Sequence, residues 1–283
     1  MPRYDYLDEW KAVLRKLGIG RGDMLYIASD ATLLLTEARK HCSVRTAQER
    51  TEFLHAFVNV LQEVVGSEGT LLFPVFTWTF CKGNAFDIRT TKGEVGALNN
   101  WVLGNRKDFR RTQNPMYSFM VWGEAAETLL ALDNADAWDE TSPFAYLHRH
   151  GGKMLLLNVS LQRAFTFMHY VERSIKVPYR YLKNFRASYT DEEGKTEKRS
   201  YVLYVRDLSI VSHEKLEDSM LEEPGAMIGE MWGDLSVRRI DLPWAYNIVK
   251  DDLLCYGGAQ CYQFANYQLD WKRGATHEDD LGH

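Results

Sequence analysis

Thr166, His169 and Glu172 stand three residues apart in the segment AFTFMHYVERSIKV. On a helix that spacing places a hydroxyl, an imidazole and a carboxylate on one face. A carboxylate beside a histidine fixes its tautomer and favours the imidazolium, as a general base requires. The plainer alternative is a solvated helix face, where a histidine and a glutamate one turn apart are common. Two features weigh against it. The helical pattern follows the apolar run Met154 to Leu157, which is preceded by Gly151-Gly152 and suits a strand buried on both faces. Ligands of open α/β sheets collect at the carboxyl ends of such strands. The stripe is also flanked by Phe165, Phe167, Met168 and Val171, so the helix is largely apolar. Pro178 stops it, because the residue before a proline avoids the α region.

The elements that must position this stripe can be read upstream. Leu7, Trp10, Val13, Leu14 and Leu17 recur at helical spacing, and Gly18 or Gly20 ends that helix. Met24 to Ala28 is a short buried strand with Ser29-Asp30 at its carboxyl end. A helix is expected over Thr46 to Val65, capped by Gly66, and a strand over Leu71 to Phe76, where Pro74 costs one ladder bond. Strand, helix and strand in this order imply a βαβ unit and a parallel sheet. Residues 77–96 are aromatic, polar and irregular; Trp78, Phe80 and Phe86 argue for an ordered loop that walls the site. Ala97 to Leu103 begins another helix, and Tyr117 to Trp122 reads as a strand. The adjacent Arg110-Arg111 is either a phosphate partner or, more commonly, a solvated basic spot.

Beyond Arg180 the texture changes to an antiparallel hairpin (Phe185 to Tyr189 and Tyr201 to Val205), a short helix near His213 to Leu221, and strands near Met227 to Trp232 and Val237 to Ile240. The expectation is a three-layer α/β/α fold with a mainly parallel central sheet and an antiparallel α+β C-terminal portion. One domain spans 1–275, its α+β part covering about 181–275, and 276–283 is a polar tail given no functional weight.

Composition bounds the rest. With 283 residues, 45% hydrophobic and 26% charged, the chain reads as an ordinary soluble protein. A net charge of −5 argues against a nucleic-acid partner. No apolar run approaches a membrane span, and no signal peptide opens the chain, so a cytoplasmic location is expected. Cys42, Cys81, Cys255 and Cys261 show no CxxC and no metal-type pairing with histidine, so no metal is expected. Only Lys82 lies near Cys81 to lower its pKa, and covalent catalysis there is set aside. No GxSxG elbow supports a serine hydrolase.

Several segments in order resemble the aminoglycoside 3-N-acetyltransferase (antibiotic acetyltransferase) family. The central match is MLLLNVSLQRAFTFMHYVE followed by VPYR. Gly22-Asp23 with the strand to Ser29, the stretch GTLLFPVFTWTF, the order Arg111, Pro115, Ser118, and Ser142-Pro143-Phe144 also match, over roughly residues 10–260. The resemblance implies direct acetyl transfer from acetyl-CoA to a primary amine. In that scheme His169 is the base, Glu172 orients it, and Thr166 donates to the oxyanion or the leaving sulfur. It also places coenzyme A against Ser29, Arg111, Asn114 and Ser118, although simple turn capping explains Ser29 and Ser118 equally well. Asn114 stands where many members have histidine, and Ala28-Ser29-Asp30 where many have a histidine and two small hydroxyl residues; both departures bear on the acceptor. Family acceptors are aminoglycosides or amino sugars. The mixed charges of Lys82, Asp87, Arg89, Lys92 and Glu94 suit a nucleotide-linked amino sugar better, with its base stacked on Trp78 or Phe80. Asp30 is then available for the amine or a sugar hydroxyl. The alternatives are an aminoglycoside acceptor, or a non-catalytic sugar- or CoA-binding module. The oligomeric state is left open, a homodimer being one option.

Overall fold

In the computed structural model, which describes residues 5–274, helix α1 (Asp5–Lys16) ends before Gly18, whose φ of 67° lies in the left-handed region. Strand β1 (Met24–Ser29) follows, then helices α2 (Ala31–His41) and α3 (Ala47–Val65), then strand β2 (Thr70–Pro74). Helix α3 starts where its sequence directs, because Thr46 and Glu49 form a reciprocal capping box. Helix α2 is an addition to the sequence reading: Asp30 starts it by accepting from the Thr32 and Leu33 N–H groups. The loop after β2 is ordered, as expected, through a 3₁₀ turn (Trp78–Lys82) and the short strand β3 (Phe86–Asp87).

Helix α4 (Ala97–Asn105), strands β4 (Arg110–Arg111) and β5 (Phe119–Gly123), and helices α5 (Ala126–Leu130) and α6 (Pro143–Arg149) lead to strand β6 (Lys153–Leu157). Next come α7 (Leu161–Ala164), α8 (Phe167–Ile175) and the hairpin β7 (Arg180–Thr190) with β8 (Thr196–Arg206). The chain closes with β9 (Ser212–Glu214), α9 (Ser219–Glu222), β10 (Met227–Trp232), β11 (Leu235–Asp241), α10 (Leu242–Cys255) and β12 (Tyr262–Phe264).

The main sheet runs β10-β11-β6-β1-β2-β5-β4. Its centre, β6-β1-β2, is parallel, and the strands flanking it pair antiparallel. The two-residue period of β1 divides the core. Leu25 and Ile27 join α1, α2 and α3 on one face, while Tyr26 and Ala28 join α6, α8 and α10 on the other. This is the expected three-layer α/β/α arrangement. Three local expectations are corrected. Strands β10 and β11 extend the main sheet on the edge of β6, so part of the C-terminal portion belongs to the central layer. The helix expected over His213 to Leu221 is the strand β9 followed by the single turn α9. The helix expected from Ala164 to Pro178 is broken at Phe165, whose ψ of 57° leaves the helical region, so Thr166 sits at the N-cap of α8. Among the described residues no helix is long and apolar enough to cross a membrane. The tail expected over 276–283 lies outside the described residues.

Candidate active site

The parallel strand β6 delivers the chain to the face that carries α8, and α8 holds the stripe. Glu172 is fully buried and His169 is 23% exposed. His169 Nδ1 lies 2.7 Å from Glu172 Oε2. The same carboxylate oxygen lies 2.9 Å from Arg180 Nε, and the other, Oε1, accepts from the hydroxyls of Tyr179 and Tyr262, both at 2.7 Å. Arg180 also donates to the Tyr204 carbonyl. Burial alone would raise the Glu172 carboxyl. The Arg180 guanidinium, with His169 and the Tyr179 hydroxyl, outweighs that and holds it down at about 2.

That ionised carboxylate favours one tautomer of the imidazole. A carboxylate only accepts, so the tautomer that satisfies this contact has Nδ1–H donating to Oε2 and leaves Nε2 with its lone pair. Arg180 Nη2 stands 3.1 Å from the same Nδ1, a close approach in that tautomer and a hydrogen bond in the other. The ring leans on Trp138, with centroids 5.1 Å apart. Through Trp138 and Tyr117 it is joined to Trp78, which is 39% exposed at the rim. The arrangement can take a proton at Nε2 and hold the resulting charge against a fixed anion.

Thr166 lines a cleft of about 340 Å³ with the buried Tyr26, Ser29, Asp30, Phe76, Asn99 and Arg163. Ser29 Oγ is buried there without a protein partner. The N-terminus of α2 opens on this cleft with its Thr32 and Leu33 N–H groups already taken by Asp30, and Arg163 adds a cation to the same lining. These residues fit a polar, phosphate-bearing coenzyme. Asp30 uses its Oδ1 to cap α2, which accounts for the carboxylate structurally and places it on the Thr166 side rather than beside Trp78.

The other expected site residues serve the frame. Arg111 is buried and donates to Ser118 Oγ, the Thr91 and Val75 carbonyls and Thr77 Oγ1, with its guanidinium over Phe86. Its fork is filled by the protein's own acceptors, so it is an internal clamp and not the phosphate ligand expected from its type. Ser118 is fully buried and donates to the Val75 carbonyl. Asn114 is buried, accepts from the Met116 and Tyr117 N–H groups, and donates to the Asn134 carbonyl. Phe80 is 1% exposed and packs edge-on against Tyr201, so it cannot stack on a ligand base. Burial pushes the Cys81 thiol up to about 11, in keeping with an inert cysteine. Sequence reasoning missed Tyr262 altogether. Tyr179-Arg180 were seen as a pair without a role, although their place directly after Pro178 was a usable signal.

A His–Glu pair with a buried carboxylate, together with a polar cleft at Thr166 on the same α/β scaffold, is an arrangement compatible with acyl transfer. Residues 40–253 match the family model described as aminoglycoside 3-N-acetyltransferase, and the chain belongs to that family. Membership makes it an acetyl-CoA-dependent N-acetyltransferase. Among solved structures it is similar to AAC-IIIb in binary complex with CoASH (TM-score 0.70, 19% identity, covering 87% of this chain and 95% of that one). It is also similar to AAC-VIa bound to sisomicin (0.67, 20%, 87% and 97%) and to the YokD protein from Bacillus subtilis (0.67, 19%, 89% and 94%). At these identities the likeness is one of fold. No curated protein matches the sequence.

Proposed function

We propose that the chain transfers the acetyl group of acetyl-CoA to the primary amine of an amino sugar, with a nucleotide-linked sugar as the preferred acceptor. The observation that carries this reading is the 2.7 Å contact between His169 Nδ1 and the buried Glu172, whose carboxyl is held down at about 2, so that Nε2 is the nitrogen left for the amine. The coenzyme supplies the acetyl group as a thioester. His169 Nε2 takes one proton from the amine as its N–C bond forms and the C–S bond breaks, and the departing sulfur leaves as the thiol once protonated. Thr166, which lines the cleft, donates toward the thioester oxygen or the sulfur in this reading. Base assistance of this kind contributes about 10²–10⁴-fold. Ser29, whose buried hydroxyl has no protein partner, contacts the coenzyme in this reading.

For the acceptor, Trp78 offers a half-exposed indole on the His169 side, with Lys82 exposed nearby. The charges felt at Cys81, beneath this rim, have both signs, from Glu94 and Lys183. That mixture suits a base and diphosphate better than a polycation. A second reading, an aminoglycoside acceptor, is favoured by family membership and by neighbours solved with sisomicin and with apramycin.

The test is thiol release from acetyl-CoA by wild type and His169→Ala, with nucleotide-linked amino sugars and aminoglycosides as separate panels. The expected result is release with the nucleotide-linked panel that drops at least a hundredfold in the variant. Release with aminoglycosides alone would transfer the conclusion to the second reading. Variant turnover equal to wild type would remove His169 as the base.

A further inference from the structure

We infer that Tyr262 is a positioning residue for the base, its hydroxyl holding Arg180 and Glu172 together so that His169 stays in its proton-accepting tautomer. This rests on the His169 reading above. Tyr262 lies beyond residue 253, where the family match ends, yet its hydroxyl reaches into the centre of the site. It donates to Glu172 Oε1 at 2.7 Å and accepts from Arg180 Nη2 at 3.3 Å.

The position of Nη2 makes this matter. It stands 3.1 Å from His169 Nδ1, closer than it stands to the tyrosine. Two proton arrangements therefore compete at Nδ1. In one, Nδ1–H donates to Glu172 and Nε2 is bare. In the other, Arg180 donates to a bare Nδ1, and the proton sits on Nε2, where it blocks the base. Tyr262 gives Nη2 an alternative acceptor and anchors the far carboxylate oxygen, so Oε2 stays on the imidazole. Removing the hydroxyl frees one Nη2 hydrogen toward Nδ1 and leaves Oε1 with Tyr179 alone.

The fold aims this tyrosine with care. Strand β12 is held against β9, and the turn before it is fastened to buried Asp252 near the end of α10, which accepts from the Gln260 and Cys261 N–H groups. Tyr262 N–H donates to the Gly258 carbonyl, and its ring packs edge-on against Tyr179 at 5.3 Å. The aromatic ring alone would satisfy a purely packing role. The hydroxyl is what the cage uses.

The experiment compares wild type, Tyr262→Phe and Tyr267→Phe by side-chain ¹⁵N NMR of His169, together with kinetics on the acceptor found active. Tyr267 also carries a buried-side hydroxyl bond, to the Pro178 carbonyl, but does not touch Glu172. Wild type and Tyr267→Phe should show the Nδ1–H tautomer. Tyr262→Phe should show the Nε2–H tautomer, with kcat lower by about tenfold to a hundredfold, as when a supporting partner of a catalytic group is lost, and KM for acetyl-CoA within about twofold. An unchanged Nδ1–H tautomer in Tyr262→Phe overturns the inference even if turnover falls. Should that variant misfold, Asp252→Asn loosens the same turn and should move the tautomer in the same direction. A His169→Ala variant with wild-type kcat would instead sink the base assignment itself.

Discussion

Replacing Glu172 by glutamine keeps the shape of the side chain and removes its charge. Arg180 then remains buried, with hydroxyl and carbonyl partners but no counter-charge. Breaking a buried ion pair by removing one member costs about 3–5 kcal/mol. Unfolding entropy of about 2.1 cal/mol/K per residue, taken over the 283 residues, gives about 0.6 kcal/mol/K, so Tm should fall by about 5–8 °C. The effect has a pH signature. Although burial opposes it, Arg180 brings the folded carboxyl from 4.5 to about 2, so this stabilisation is present above 4.5 and is lost as pH falls from there toward 2. Differential scanning calorimetry of wild type and Glu172→Gln should show the full Tm gap at pH 7, nearly the same gap at pH 5.5, and a shrinking gap below about pH 4.5. Turnover should fall by about 10² or more, because the imidazole loses its fixed anion. A variant within 1 °C of wild type at pH 7, or a gap that does not narrow toward pH 3, would refute the account of Glu172 as an ionised anchor.

Arg111→Met should lower stability by about 3 kcal/mol or more, since bonds to a charged group contribute about 1.5–3 kcal/mol each, while KM for acetyl-CoA stays within about twofold. A tenfold rise in that KM without a change in Tm would restore a phosphate-binding role. Cys81→Ala should leave kcat within about twofold, and iodoacetamide at pH 8 should label exposed Cys255 well before Cys81, whose thiol burial holds at about 11. Peptide mapping of the alkylated protein checks the order of labelling.

The His169–Glu172 contact was legible because it is local: residues three apart on a helix after a buried strand are a one-dimensional signal, and the two meet at 2.7 Å on α8 even though Phe165 breaks the helix before them. The long helix α3 was equally plain, since its cap, its apolar face and its terminal glycine agree. Residue type misled where burial decided the outcome. Arg111, Ser118 and Asn114 have the chemistry of ligand-binding groups, but each meets its partners inside the protein, through contacts with Val75, Thr91 and Asn134 that no local spacing encodes. Phe80 looked like a stacking platform until the hairpin of β7 and β8 covered it with Tyr201. Tyr262 stood outside the reading because it meets Glu172 across a separation of 90 residues.

The clamp at Arg111 has one more consequence, for how the protein could change its diet. A single guanidinium grips the Val75 and Thr91 carbonyls, on either side of the stretch that carries Trp78. Between those ends Lys82, Gly83, Asn84 and Ala85 are exposed. That exposed turn can lengthen at little cost, since doubling the length of a loop adds only about 0.6 kcal/mol of closure entropy. Insertions and replacements there can rewrite what the enzyme greets at its entrance while the machinery behind the clamp is inherited intact.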